Sequence, residues 1–490
     1  MTSYLRRLLR TGAAYQLADA VSKVFALALL PVYTRHLTRA DYGTAELILT
    51  TIILASIVLR LGLGEAFVRF HYLDADPERR RRLARTATGT LLAITTVVSM
   101  LIAVFAAPVS NLLLGSEQPD VVRAGALGLW AFTNLELAYA LLRVEERARA
   151  FAIASLANVA LTIVLTVWLV VFADQGALGL VLGNYAASAV ILIGLWWVER
   201  AALGWPSWPQ LGPMLRFGLP TVPAEVSVFA IFFVDRLWLY RFESPAEAGL
   251  YSLSVKLAGI VVFTVRAFQY AWPPLAYSIV EDAEAARVYA RITTYYVLFT
   301  GLVVAGLALL GRWVVRIFAA PQFYAAHEAL TWVALGWALY GLFLVLVAMA
   351  GRAQVTVRNA PAALCGLVVN VVLLAVLVPS LGIAGAGLAL VGAYAVTLVA
   401  MWALTHKLFP VAFEWNRLLH FVLVAGGIVV AGELALPTDG AAGFVSRAVA
   451  FAAIPLVLWL TRFFRPGELR AARGLLSRTR PAPSEAPTAG

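Results

Sequence analysis

Residues 43–63 read GTAELILTTIILASIVLRLGL. As an α-helix rising 1.5 Å per residue, this stretch is about 32 Å long, close to the ~30 Å hydrocarbon core of a bilayer. It holds only two ionisable residues, Glu46 and Arg60, and Arg60 lies near one end. Lipid offers no partner to a free N–H or C=O, so a helix is the expected conformation. The short alternating strands of a membrane barrel do not occur. Similar apolar segments lie near 12–34, 87–107, 121–142, 151–172, 177–198, 217–242 and 249–272, and again near 292–310, 328–350, 361–378, 383–405, 417–435 and 444–464. Hydrophobic residues make up 62% of the chain and charged residues 13%, with a mean hydropathy of +0.84. A soluble domain carries roughly 45–50% and about 25%. The expected fold is an all-α membrane protein of about fourteen transmembrane helices.

Charge orients these helices. Of 38 basic residues, 26 fall in the segments that are cytoplasmic when the N-terminus is inside. They include Arg6, Arg7, Arg10, the run Arg79 to Arg82, Arg143, Arg147 and Arg149, and Arg465 to Arg480 in the tail. The outward loops hold 7: Arg35, Arg39, Arg123, Arg241, Arg312, Arg316 and Arg447. The excess of inward charge predicts two cytoplasmic termini, which requires an even number of spans. The net charge of +11 is then topology plus attraction to anionic lipid, and nucleic-acid binding is not expected. The first span follows a basic start and exceeds the 7–15 residues of a cleaved signal core, so it reads as an anchor. The single cysteine, Cys365, and five scattered histidines suggest neither a disulfide framework nor a metal site, and no cofactor is expected. The Pro/Ala-rich tail reads as disordered.

Sliding the sequence on itself by 206 residues aligns the start of the first span with that of the seventh. Arg10 meets Arg216, Gly12 meets Gly218, Arg35 meets Arg241, Gly43 meets Gly249 and Arg60 meets Arg266. Asp19 meets Glu225 and Asp41 meets Glu247. Later, Asn158-Val-Ala-Leu resembles Asn370-Val-Val-Leu, and Gly183-Asn-Tyr-Ala resembles Gly392-Ala-Tyr-Ala. Six spans separate the repeat starts, so both halves would point the same way. This predicts two pseudo-symmetric six-helix lobes, 1–205 and 206–410, around a central cavity. A helical hairpin (411–464) and a cytoplasmic tail (465–490) follow.

Ionisable groups inside hydrocarbon are costly and are functional candidates by default. Five bases qualify: Lys23, Arg60, Arg236, Lys256 and Arg266. Arg60 and Arg266, equivalent under the repeat, would face each other near the inner ends of spans 2 and 8. Two guanidiniums there suit a phosphate or pyrophosphate; the alternative is snorkelling to lipid head groups. Lys23 lies four residues after Asp19, on the same helix face, as a cavity cation or an internal pair. Lys256 lies at the depth of Asp235 and Arg236, so either an Asp235–Lys256 bridge pins the hairpin or Arg236 and Lys256 line the outer pathway. Asp19, Glu225 and Asp235 are candidate coupling acids, with Glu46 and Glu136 also in spans. Pro220 and Pro223 interrupt span 7 and suggest a hinge or a packing kink.

The residues Pro31–Gly43 (PVYTRHLTRADYG), Gly62–Phe70 (GLGEAFVRF), Phe217–Pro223 (FGLPTVP), Asp235-Arg236, Ala248–Ser252 (AGLYS), Lys256 and Ala271–Pro274 (AWPP) carry a resemblance. In that order and spacing the chain resembles the polysaccharide biosynthesis and oligosaccharide flippase family, the oligosaccharidyl-lipid branch of the multidrug/oligosaccharidyl-lipid/polysaccharide exporter superfamily. The resemblance implies alternating-access translocation of a polyprenyl-pyrophosphate-linked oligosaccharide across the plasma membrane. Its implied partners are that lipid-linked oligosaccharide, membrane lipids, and a polysaccharide polymerase with glycosyltransferases. Lipid II flippases are cousins, but their arginine-bearing motif after span 1 is not matched. Two rivals remain: a membrane glycan polymerase, which would need a catalytic outer loop, and a cation/drug antiporter, which would favour an acidic pocket. Short outward loops weigh against an enzyme, and the five in-span bases weigh against a cationic substrate.

Overall fold

The computed structural model describes residues 24–74, 76–352 and 359–468, and among these the chain is all-helical. The helices are α1 (Leu30–His36), α2 (Arg39–Leu59), α3 (Leu63–Leu73), α4 (Pro77–Val104), α5 (Ala106–Leu114) and α6 (Pro119–Val144). Next come α7 (Ala148–Val167), α8 (Gly176–Val198), α9 (Trp208–Gly218), α10 (Val222–Trp238), α11 (Pro245–Leu257) and α12 (Gly259–Ser278). The last are α13 (Asp282–Phe318), α14 (His327–Arg352), α15 (Asn359–Thr405), α16 (Trp415–Ala435) and α17 (Gly440–Leu460). Asp19 and Lys23, with the tail beyond 468, lie outside the described residues.

Among the described residues, ten helices are long and apolar enough to cross a membrane, or twelve if each of two bent pairs is one span. That is fewer than fourteen for two reasons. The first expected span lies mostly outside the described residues, and segments 361–378 and 383–405 share α15. This helix has 47 residues, about 70 Å at 1.5 Å each, or twice a hydrocarbon core. It contains Pro379, and it breaks at Gly382 (φ 55, ψ −133), where a side chain would be strained. The bent pairs are Trp208–Thr221 with Glu225–Glu243, at 50°, and Pro245–Leu257 with Gly259–Arg266, at 41°. Pro220 and Pro223 stand at the first bend.

Local chemistry starts the two repeated helices alike. Thr38 caps α2: its Oγ1 accepts from Asp41 N at 3.0 Å, while Asp41 Oδ2 accepts from Thr38 N at 3.3 Å. Ser244 caps α11, its Oγ accepting from Glu247 N at 3.1 Å. Thr38 and Ser244 are repeat equivalents, as are Asp41 and Glu247, so both halves begin this helix with a hydroxyl cap and an acid three residues on. Between α2 and α11 the equivalent glycines meet. A Cβ on Gly43 would sit 1.9 Å from Pro245 O and 2.8 Å from Gly249 N, and one on Gly249 would sit 2.1 Å from Arg39 O.

The chain divides into two compact units: Met1–Tyr277 with Gly311–Phe409, and Ser278–Leu310 with Pro410–Gly490. The second unit contains the expected hairpin, α16 and α17, together with residues 278–310. Its core joins Leu298, Leu309, Phe421, Ile454, Leu458 and Phe463. Arg447, expected in an outward loop, lies within α17, is fully buried, and pairs with Glu433.

Candidate functional site

The first unit holds a half-open cavity of about 1000 Å³, at the upper end of the range for small-molecule pockets. Its wall takes residues from α2, α6, α7 and α8 in the first half of the chain, and from α10, α11, α12, α14 and α15 in the second. Three of the five in-span bases line it: Arg236, Lys256 and Arg266. Arg60 instead lines a second cavity of about 370 Å³ with Arg69, Arg143, Glu65 and Glu136. Arg60 and Arg266 are therefore not brought together in one pocket. Arg60 still reaches the central wall, because its Nη2 donates to Glu225 Oε1 at 3.2 Å, and Glu225 lines the central cavity. Beside this pair, Gly62 (φ 67) and Gly218 meet so closely that a Cβ on Gly62 would sit 2.2 Å from Gly218 O.

At the other end of α2, Glu46 is 4% exposed and lies 2.5 Å from Lys256 Nζ in an ion pair that lacks hydrogen-bond geometry. Lys256 also stands 5.2 Å from the Tyr42 ring. Its partner is thus Glu46 across the two halves, and the Asp235–Lys256 bridge is not formed. Asp235 is fully buried, and its Oδ2 accepts from Tyr251 Oη at 2.8 Å. The side chain of the fully buried Asn370 lies beside Asp235 without meeting hydrogen-bond geometry to its Oδ1. Arg236 donates from Nη1 to Phe232 O at 2.9 Å and from Nε to Ser252 Oγ at 3.3 Å.

Several wall residues carry no charge, and charge alone did not point to them. Phe232 stacks on Trp337 at 4.2 Å between ring centroids, and Tyr340 stands edge-on to Trp337 at 5.8 Å. Asn158, Asn184 and Ser188 supply amides and a hydroxyl, with Ser188 Oγ donating to Asn158 Oδ1 at 3.4 Å. The signal for the amides was present, since Asn158 and Asn370 head the same repeated tetrapeptide. The aromatic wall resembled ordinary span filling. No group of three or more metal-ligating side chains occurs among the described residues. The wall therefore offers a solute charge, amide hydrogen bonds and aromatic faces.

The family described as polysaccharide biosynthesis protein matches residues 32–328. A Haemophilus influenzae protein, Lsg locus putative protein 1, is 22% identical over 291 residues, 56% of this chain and 67% of that protein. Among solved structures, the lipid II flippase MurJ in an inward closed conformation superposes with a TM-score of 0.74 at 13% identity, over 96% of this chain and all of that one. An inward-facing multidrug resistance MATE family transporter of the MOP superfamily gives 0.64 at 16% identity, over 79% of this chain and 94% of that one. At such identities these likenesses establish the fold.

Proposed function

This chain belongs to the polysaccharide biosynthesis protein family, and from that premise we propose that it is a flippase for polyprenyl-pyrophosphate-linked oligosaccharides. It carries these repeat units from the inner to the outer leaflet of the plasma membrane for surface polysaccharide assembly, with both termini cytoplasmic. The observation that carries this reading is the cavity walled by both halves of the chain and studded with Arg236, Lys256 and Arg266. A charged sugar–pyrophosphate head group cannot enter hydrocarbon unaided, and a cavity that offers it charged and amide side chains lowers that barrier.

Alternating access needs two closures that open in turn. The Gly43–Gly249 approach with the Lys256–Glu46 pair forms one, and the Gly62–Gly218 approach with the Arg60–Glu225 pair forms the other. Pro220 and Pro223, at the 50° bend, supply the hinge. Arg60 receives the pyrophosphate at the inner side and hands it to Arg266; Lys23 is a further cation of the pathway. Asp19, Glu225 and Asp235 are the acids assigned to ion coupling. Glycosyltransferases supply the substrate, and a polymerase consumes it on the outer side.

The test is purified protein in liposomes with a labelled lipid-linked oligosaccharide and, separately, a cationic dye. Movement of the glycolipid alone is expected. Dye export without glycolipid movement would replace this reading with that of a cation antiporter. The MurJ likeness favours one alternative substrate, lipid II, which is run as a third probe.

A further inference from the structure

Glu136 differs from the other carboxylates inside spans. Among the described residues, Glu46 meets Lys256, Glu225 meets Arg60, Glu433 meets Arg447 and Asp235 accepts from Tyr251. Glu136 forms no ion pair there. It is half-buried in α6, about 12 Å before the helix ends at Val144. A carboxylate at that depth in an apolar span is costly unless a cation or water meets it, and it marks a site by default.

Glu136 lines the second cavity, of about 370 Å³, and not the central one. Arg143, two turns on along the same face of α6, and Arg69 of α3 line that cavity as well. Among the described residues neither pairs with Glu136, or with Glu65, which also lines it. Instead Arg69 lies over the Phe217 ring at 4.5 Å and Arg143 over the Phe151 ring at 5.9 Å. Arg60 is already engaged by Glu225. Two signs of charge thus share one space without bridging it, which leaves room for a ligand that carries both. Leu91 and Ala140 make part of the wall apolar. On α3, Val68 lines the cavity and Tyr72 follows it by one turn, and both are exposed. A charged cavity bordered by exposed apolar side chains suits a lipid head group whose chains stay in the bilayer.

We propose that this second cavity binds the phosphoethanolamine head of a membrane lipid, with its ammonium on Glu136 and its phosphate on Arg69 and Arg143. The site is separate from the transport pathway and does not depend on the flippase reading. A primary ammonium donates three N–H groups to carboxylates, and arginine forks match the phosphate. A choline head has no N–H to donate. A glycerol head brings no cation to Glu136, and its negative charge meets Glu136 and Glu65 unfavourably.

The experiment titrates the full chain in detergent with dihexanoyl phosphatidylethanolamine, its N-methylated series ending in phosphatidylcholine, and phosphatidylglycerol, and reads binding by calorimetry. Wild-type protein should bind phosphatidylethanolamine at least tenfold tighter than phosphatidylcholine or phosphatidylglycerol, with affinity falling at each N-methylation. Glu136→Gln should erase that preference, while Arg69→Gln with Arg143→Gln should weaken binding of all three at least tenfold. Equal affinity for ethanolamine and choline heads, or tighter binding of phosphatidylglycerol, overturns the proposal. So does a Glu136→Gln variant that keeps the wild-type preference. Should either variant fail to fold, the N-methylation series on wild-type protein decides alone. Chain-free glycerophosphoethanolamine should bind at least tenfold more weakly than the lipid. Equal binding would make the ligand a soluble phosphoethanolamine and overturn the lipid assignment.

Discussion

At the scale of single residues, the pairs around the cavity differ in burial, and their energetics should differ accordingly. Glu46 is nearly buried, whereas the Lys256 side chain is 32% exposed. Lys256→Met strands the Glu46 carboxylate. Breaking a buried pair costs about 3–5 kcal/mol, and the exposed lysine places this case at the lower end. The double variant Lys256→Met with Glu46→Gln should recover most of that loss, as read by thermal unfolding in detergent. Equal melting temperatures for the single variant and wild type would show that the pair contributes nothing. Arg60 and Glu225 have side chains 20% and 41% exposed, so their pair contributes only about 0.2–1 kcal/mol. The double variant Arg60→Ala with Arg266→Ala should therefore fold and accumulate near normally while abolishing transport. Lysine at either place should rescue in part, because the planar fork is lost. Normal transport by that double variant would refute the anion role of both arginines. The sequence pointed to these bases because charge in an apolar span stands out. It did not identify their partners, since Glu46 and Lys256 are far apart in the chain and meet only through the packing of α2 on α11.

At the scale of elements, the glycines are the features most tightly tied to movement. Backbone atoms of α2 and α11 approach so closely at Gly43 and Gly249 that a single methyl group on either would overlap them. Gly43→Ala should force the helices apart and favour opening at that end. With Cys365→Ser and Val255→Cys in place, an impermeant thiol reagent added outside should label position 255, which lines the cavity, several-fold faster in Gly43→Ala. Gly62→Ala should act at the opposite closure and slow that labelling, with an added ~1 kcal/mol from a side chain at φ 67. Identical labelling in all three proteins would mean that these contacts do not gate the cavity. The starts of both helices were legible, because Thr38-x-x-Asp41 and Ser244-x-x-Glu247 are capping patterns in equivalent positions. The short helix α3 was less legible, since charge is dense along residues 64–86 and obscures its apolar face. In the structure α3 packs its apolar face, with Leu63, Ala66 and Phe67, against Leu211 and Met214 of α9.

At the scale of the whole molecule, hydropathy revealed the helical class, and residues from both parts of the 206-residue repeat line one cavity. The grouping of residues 278–310 with α16 and α17 was not legible. Apolar spans look alike in composition, and which of them pair depends on side-chain shape rather than pattern. The expected orientation depends on counts of charge, and one arginine of that count does not lie in a loop. Arg447 is buried against Glu433 inside α17, so it faces no aqueous loop. Removing it from the outward set of 7 leaves 6, against 26 on the other side. Short-loop arginines resist translocation, so the imbalance predicts a cytoplasmic N-terminus and a cytoplasmic tail after α17. A green fluorescent protein fused after Gly490 should then fluoresce, and alkaline phosphatase fused after Arg316 should be active. An active phosphatase at the C-terminus would reverse the topology. Arg60 and Glu225 would then guard the outer end, and the pyrophosphate would have to enter beside Lys256 and Glu46. The proposed direction of transport thus rests on the same arginine count as the proposed topology.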